Sequence, residues 1–166
     1  MSRRITLPAD HVRQLPIDHQ FTIPESYLDE MGHMNIRWYM ALFNEGVGPF
    51  LQRIGLTDAY FAEKEGGVFA LEQFLRYLAE VHVGETVTVR GRLLGRSAKR
   101  LHFMQFIVNE TNNNVACIME VLNSHANLHT RRTSLYPPHL QANIDALLAQ
   151  HNQLDWAAPI SGMIQP

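Results

Sequence analysis

Cysteine is almost missing: Cys117 is the only one in 166 residues. An intramolecular disulfide is therefore excluded, as is any CxxC metal or redox site. Cys117 lies in the apolar run Val115-Ala116-Cys117-Ile118-Met119, where a buried, inert thiol is expected rather than a nucleophile. Excess charge of one sign is also missing. A formal net charge of −2 gives no general attraction to nucleic acid or to an anionic membrane. No apolar run approaches the roughly 20 residues of a membrane span. The basic start, Met1-Ser2-Arg3-Arg4, is not followed by the apolar core of a signal sequence. Internal repeats and low-complexity stretches are absent, and the N-terminal arm is too short for a helix-turn-helix. These absences predict a reduced, soluble, cytoplasmic protein with no membrane or nucleic-acid partner. Nine histidines invite a metal reading. His125 and His129, four apart, have no sister ligands at zinc spacing, so neither a metal nor another cofactor is expected.

What is present suits one compact domain: 46% hydrophobic and 18% charged residues, with terminal extensions. Residues 1–18, with Pro8 and Pro16, read as an arm. A short strand follows at His19-Gln20-Phe21-Thr22-Ile23, and Pro24 ends it or sets it on an edge. Apolar residues at Met40, Phe43, Val47, Phe50 or Leu51, and Ile54 then recur at helical spacing. Gly46, Gly48 and Pro49 fall inside that pattern, and an interior proline costs about 3 kcal/mol, so a kink or restart is expected there. Gly55 is expected to close the helix. From Gly67 the pattern becomes extended: Val68 to Leu78, Thr86 to Leu93 with clean alternation, Leu101 to Val108, and Val115 to Leu128. The last strands are apolar on both faces, as in a sheet covered on both sides, one by the helix and the other open to a partner. After Pro137-Pro138 a helix is read through Leu140, Ile144, Leu147 and Leu148. The divisions are thus 1–18, 19–133 and 134–166, and the class is α+β, an early helix wrapped by a long antiparallel sheet.

The stretch Asp29-Glu30-Met31-Gly32-His33-Met34-Asn35, running into Ile36, is the one with chemical promise. Gly32 permits a sharp turn. If the helix starts near Asn35, its first N–H groups lack intrahelical acceptors and carry the positive end of the macrodipole. An acid would then face a cradle for developing negative charge, the equipment of acyl transfer. On spacing alone, Asp29 reads equally as a turn residue, His33 as a polar turn residue and Asn35 as an N-cap.

Asp29, Gly32, His33, Asn35, Tyr39 and Phe43 resemble the signature of the hotdog-fold acyl-CoA thioesterases of the 4-hydroxybenzoyl-CoA thioesterase type. The strand order over residues 19–130 is similar to theirs as well. Phe69-Ala70-Leu71-Glu72, Tyr77-Leu78, Glu80-Val81, Gly84, Leu94-Gly95 and Lys99-Arg100-Leu101-His102 look like the betainyl-CoA thioesterases of carnitine breakdown. Asn44-Glu45-Gly46-Val47-Gly48-Pro49 departs from the family's acidic, glycine-free helix middle. The resemblance implies a hotdog fold with five to six strands and a C-terminal helical extension, and an acyl-CoA substrate. It also implies assembly as a homodimer or a dimer of dimers.

By the same resemblance Asp29 is the catalytic carboxylate, as general base on water or as nucleophile on the thioester. The N–H groups around Asn35 and Ile36 form the oxyanion hole, and His33 orients water or the thioester. Glu72, a lone acid in an apolar run, faces the site across a dimer or joins a structural ion pair. Arg96, Lys99 and Arg100 form a loop cluster for the coenzyme A phosphates, with solvated loop charge as the alternative. For a quaternary ammonium acyl group, Trp38, Tyr39, Phe69 and Tyr77 are the aromatic candidates, against plain core packing. Two rivals share the fold: a hydratase or dehydratase, whose Asp and His are spaced differently, and a non-catalytic acyl-CoA sensor.

Overall fold

The structure is a computed structural model that describes residues 5–166. The basic Met1–Arg4 start lies outside the described residues. Along the chain come α1 (Ala9–Arg13), β1 (His19–Thr22), α2 (Ile36–Gln52), α3 (Asp58–Ala62) and β2 (Gly66–Tyr77). They are followed by β3 (Thr86–Arg96), β4 (Arg100–Asn109), β5 (Asn114–Asn127), β6 (Arg132–Thr133) and α4 (Pro138–His151). All pairings are antiparallel, in the order β1-β3-β4-β5-β2, with the short β6 paired to β5. The long helix α2 lies against one face of this sheet, the α+β layering that the sequence pattern anticipates and the hotdog arrangement that the resemblance implies.

Local chemistry explains the element ends. Asn35 caps α2, its side chain accepting the Arg37 N–H at 3.1 Å. Asn113, with φ +53°, makes the left-handed step of the β4–β5 hairpin, a conformation asparagine tolerates better than most residues. Helix α2 buries Tyr39, Leu42, Phe43, Gly46, Phe50 and Leu51 against Val89, Phe103, Ile107 and Val121 of the sheet. Leu140, Ile144 and Leu147 of α4 join the same cluster beyond the C-terminal end of α2.

The interruption expected at Gly46, Gly48 and Pro49 does not occur; α2 runs unbroken from Ile36 to Gln52. Pro49 and Glu45 both lie on the exposed side, so the carbonyl deprived of its donor faces solvent rather than the core. Gly46 faces the sheet. A Cβ there would stand 2.5 Å from Val89 Cγ1 and 3.3 Å from Gln105 Nε2, so its missing side chain lets the helix settle on β3 and β4. The chain leaves the helix through Arg53 and reverses at Gly55, φ +92°.

The other sheet face, expected to be open to a partner, is covered over β3–β5 by the chain's own ends. Val12 and Leu15 from the α1 arm and Trp156 from the tail pack on Met104, Phe106 and Ile118. Two buried arginines on β3 fasten them. Arg90 donates to the Leu15 and Arg13 carbonyls. Arg92 donates to the Trp156 and His151 carbonyls and lies 4.2 Å from the Trp156 ring centroid. Sequence periodicity does not show such clamps, because their partners are backbone oxygens far along the chain.

Strand β2 ends the sheet. Among the described residues its outer edge pairs with no further strand, and Phe69, Leu71, Phe74 and Tyr77 are exposed. A long edge strand with apolar side chains is a template for further strand pairing.

Candidate active site at the N-terminus of the central helix

The Asp29–Asn35 turn is anchored at its helix end to the segments before it and after β2. Asn35 N–H donates to the Tyr27 carbonyl at 2.9 Å, and Met34 N–H donates to Val81 at 2.7 Å. Gly32, φ +85°, closes the turn by donating to the Asp29 carbonyl at 3.0 Å. The Asp29 carboxylate uses Oδ1 to accept the Met31 N–H at 2.9 Å. Its Oδ2 lies 3.5 Å from His33 Nδ1, and 18% of the side-chain surface remains exposed. This acid is neither flung into solvent nor shut in.

At the helix start, Asn35 engages two donors: its side chain takes Arg37 N–H and its carbonyl takes Trp38 N–H. The Ile36 N–H has no acceptor among the described residues. An N–H without an acceptor at the positive end of a 17-residue helix can hold an oxyanion, and the Asp29 turn leads directly into that end.

Two hollows flank this point. His33, Ile36, Tyr39 and Tyr77 line one, together with Leu78 and Glu80. Asp29 and Asn35 line the other, with Arg37 at its rim. Tyr39 and Tyr77 meet edge to face at 5.1 Å between centroids. Burial pushes the Tyr39 hydroxyl up to about 12, so it is a neutral donor at ordinary pH.

The remaining candidates are dispersed. Trp38 stacks on Tyr27 at 3.8 Å, outside both hollows. Phe69 pairs in register with Ser124 and has the Arg131 guanidinium 5.7 Å from its ring centroid. The four aromatic candidates therefore form no single cage within one chain. Glu72 pairs with Leu122 and follows a bulge at Leu71, while its neighbour Gln73 pairs with Val121 of the helix-side cluster. Alternation thus puts Glu72 on the sheet face away from α2. It has no ion pair among the described residues. Arg96 makes a two-pronged bond to Asp145 of α4, both contacts at 2.6 Å, whereas Lys99 and Arg100 are exposed.

Several polar groups escape sequence reasoning. His125 is buried, bonded to the Tyr60 hydroxyl at 2.6 Å and the Ser134 hydroxyl at 2.9 Å, and burial lowers its pKa. Gly66 makes room for that pair, since a Cβ would strike the Tyr60 hydroxyl. A cavity of about 220 Å³ lies farther along α2, walled by Phe43, Phe103, Met119 and Val121 and by the carboxamides of Gln105 and Asn123. Its only sequence signal is two polar residues within strands that are otherwise largely apolar.

Among the described residues no group of three or more His, Cys, Asp or Glu could hold a metal ion. No helix among them is long and apolar enough to cross a membrane.

Comparison with known proteins bears on this geometry. Residues 23–144 match the thioesterase-like superfamily. An L-carnitine dehydrogenase/betainyl-CoA thioesterase of Agrobacterium fabrum is 33% identical over 132 residues, 80% of this chain and 27% of that protein. The chain thus spans about a quarter of that relative's length. A betainyl-CoA thioesterase of Pseudomonas aeruginosa is 28% identical over 132 residues, covering 80% of this chain and 82% of that one. A Staphylococcus aureus protein solved in complex with CoA superposes with a TM-score of 0.79 at 24% identity, covering 92% of this chain and 96% of its own. Strand order, wrapped helix and the family match over residues 23–144 agree: the chain belongs to the thioesterase-like superfamily and has the hotdog fold.

Proposed function

We propose that the protein is an acyl-CoA thioesterase that cleaves a small acyl-CoA, with betainyl-CoA as the leading candidate, and that it works as a homodimer. One observation carries the reading: the Asp29 carboxylate opens on the same hollow as Asn35, the cap of the helix whose Ile36 N–H has no acceptor among the described residues. The names of the two bacterial relatives supply the substrate class.

In this mechanism Asp29 acts as general base. Its Oδ1 is held by Met31 N–H, which leaves Oδ2, beside His33, to take a proton from water. The water oxygen bonds to the thioester carbon, and the carbonyl oxygen gathers charge against the Ile36 N–H and the helix dipole. The carbon–sulfur bond then breaks, the carboxylic acid leaves, and the CoA thiolate takes the proton held by Asp29, which restores the base. His33 orients the water, and Asn35 fixes the first turn so that the Ile36 N–H stays outward. Within the loop cluster Arg96 is engaged by Asp145, whereas Lys99 and Arg100 make no ion pair among the described residues and are assigned to the phosphates of CoA.

The free β2 edge supports the dimer. Antiparallel pairing of Gly66–Tyr77 with its own copy joins two sheets and covers the exposed apolar side chains. Such pairing sets the Tyr77 end of one strand beside the Gly66 end of the other. The hollow at the helix start of one copy, lined by Tyr77, then adjoins the 220 Å³ cavity of its partner, lined by Val68 and Ala70. Within one chain the cavity's helix residues begin at Met40 and run to Leu51, about 6 to 22 Å beyond Ile36 at 1.5 Å per residue. A short acyl group is served better by the neighbour's cavity.

The test is free-thiol release across a panel of acyl-CoAs that includes betainyl-CoA. Turnover of at least one small ester is expected. Tight binding without turnover of any ester would instead make the protein an acyl-CoA sensor on the same fold.

A further inference from the structure

The 220 Å³ cavity between α2 and the inner faces of β2, β4 and β5 has chemistry of its own. Its volume equals roughly seven water molecules at about 30 Å³ each, room for a compact organic group. Phe43 and Phe103, both fully buried, give it aromatic walls, and Met40 and Met119 add polarizable thioethers. Set into these walls are Gln105 and Asn123, 0% and 5% exposed. Gln105 Oε1 and Asn123 Oδ1 are buried with no hydrogen-bond donor among the described residues. The Gln105 amide has a defined orientation, because Nε2 donates to the Phe43 carbonyl at 3.1 Å, so Oε1 is the free end. A buried acceptor without a donor is unfavourable, and a positive charge placed beside the oxygen offsets this through its attraction to the carbonyl dipole.

The lining contains no lysine, arginine, histidine or carboxylate. An anionic group entering it meets two carbonyl dipoles pointing the wrong way. A cationic group meets those same dipoles favourably and lies near two aromatic faces. A neutral group of equal shape gains the packing alone.

We propose that Gln105 and Asn123 are specificity-determining residues: the cavity receives the far end of the acyl group, and their carbonyl oxygens select a compact onium head over a neutral one of the same shape. The proposal rests on the thioesterase reading, because that reading brings an acyl group to the helix end. It goes beyond that reading by assigning the charge preference to two named side chains that lie outside the catalytic turn.

Two esters of matched shape separate charge from size: betainyl-CoA, ending in trimethylammonium, and tert-butylacetyl-CoA, its all-carbon counterpart. Wild-type protein is expected to favour betainyl-CoA by about tenfold or more in kcat/KM, the scale of a desolvated cation–aromatic contact. Gln105→Met, which keeps the length and loses the oxygen, and Asn123→Leu should each cut that preference to about twofold, the loss falling on betainyl-CoA. Equal losses on both esters, or an unchanged preference in both variants, would overturn the assignment. A second measurement needs neither variant nor turnover. The methyl NMR signals of Met40 and Met119 are followed while tetramethylammonium chloride is added to wild-type protein. Both are expected to shift, and signals that stay in place would sink the proposal. Shifts without hydrolysis of any thioester would remove the thioesterase reading while upholding the cavity's preference for an onium group.

Discussion

The turn at the start of α2 and the cavity beneath its middle are built in opposite ways. Seven consecutive residues, Asp29 to Asn35, make the turn, and backbone hydrogen bonds hold it between Tyr27 and Val81. It is polar, partly exposed and local. Side chains from α2, β2, β4 and β5 make the cavity, and its buried carboxamides come from strands more than 60 positions past the turn. The proposed chemistry needs a rigid bend and one open N–H, which a short segment supplies. Recognition needs walls, and walls need a fold.

That contrast can be broken by experiment. The largest effect belongs to Asp29→Asn, expected to lower kcat/KM by about 10²–10⁴ in thiol-release assays, the usual worth of a positioned general base. The asparagine oxygen can still accept the Met31 N–H, so the turn should keep its shape and an unchanged melting temperature should accompany the loss. Turnover near wild type would take Asp29 out of the mechanism.

Next comes a mixing test of whether turn and cavity serve each other across the dimer. Ala70→Phe blocks the cavity mouth from an exposed position and should be inactive alone, as should Asp29→Asn. Refolded together in equal amounts, half the dimers are mixed, and each holds one sound turn facing one open cavity. About a quarter of wild-type activity should return. No recovery would mean that each turn uses the cavity of its own chain, or that the chains do not pair.

The two regions should also differ in acid. His151 is buried, and its Nδ1 accepts the Leu93 N–H at 2.8 Å, on the strand beside Phe103 of the cavity wall. Burial, with the neighbouring Arg92 and Arg53 cations, lowers its pKa to about 4. The unfolded chain binds this proton near pH 6.5 and the folded one near pH 4, so stability is complete above 6.5 and falls as pH drops towards 4. The loss amounts to about 3 kcal/mol over that window. Thermal melts from pH 7 to 4 should show it, and His151→Asn, which keeps an acceptor but does not titrate, should flatten the slope.

The smallest expected effect is Asn35→Ala, a cost of about 1 kcal/mol from the lost cap. It sharpens the comparison through rate. If Asn35 only keeps the first turn in place, kcat should fall several-fold at most, and the preference between the two matched esters should not change.

Legibility in the sequence follows the same division. The turn is visible because Asp29, Gly32, His33 and Asn35 stand at fixed short spacing, and the strands are visible because apolar residues alternate. The continuity of α2 is not, since only its packing shows that Gly46 faces Val89 and that Pro49 faces solvent. The five-residue α1 is too short to carry a period. Arg90 and Arg92 fall in the alternating run from Thr86 to Leu93, and nothing local shows that they are buried and bind backbone oxygens 59 to 77 positions away. Gln105 and Asn123 are two polar letters in largely apolar strands, and nothing local says that they converge.

Gly46 sets the height of the cavity proposed for recognition. Because the helix rests there on Val89 and on the Gln105 amide with no side chain between, that single hydrogen is the spacer that fixes roof against floor. Any larger residue at this position would jack the helix upward and move the amide in the same step, so capacity and charge preference would change together. On the proposed reading, a change in the choice of acyl group has a shorter route through this glycine than through the acid proposed for the cleavage.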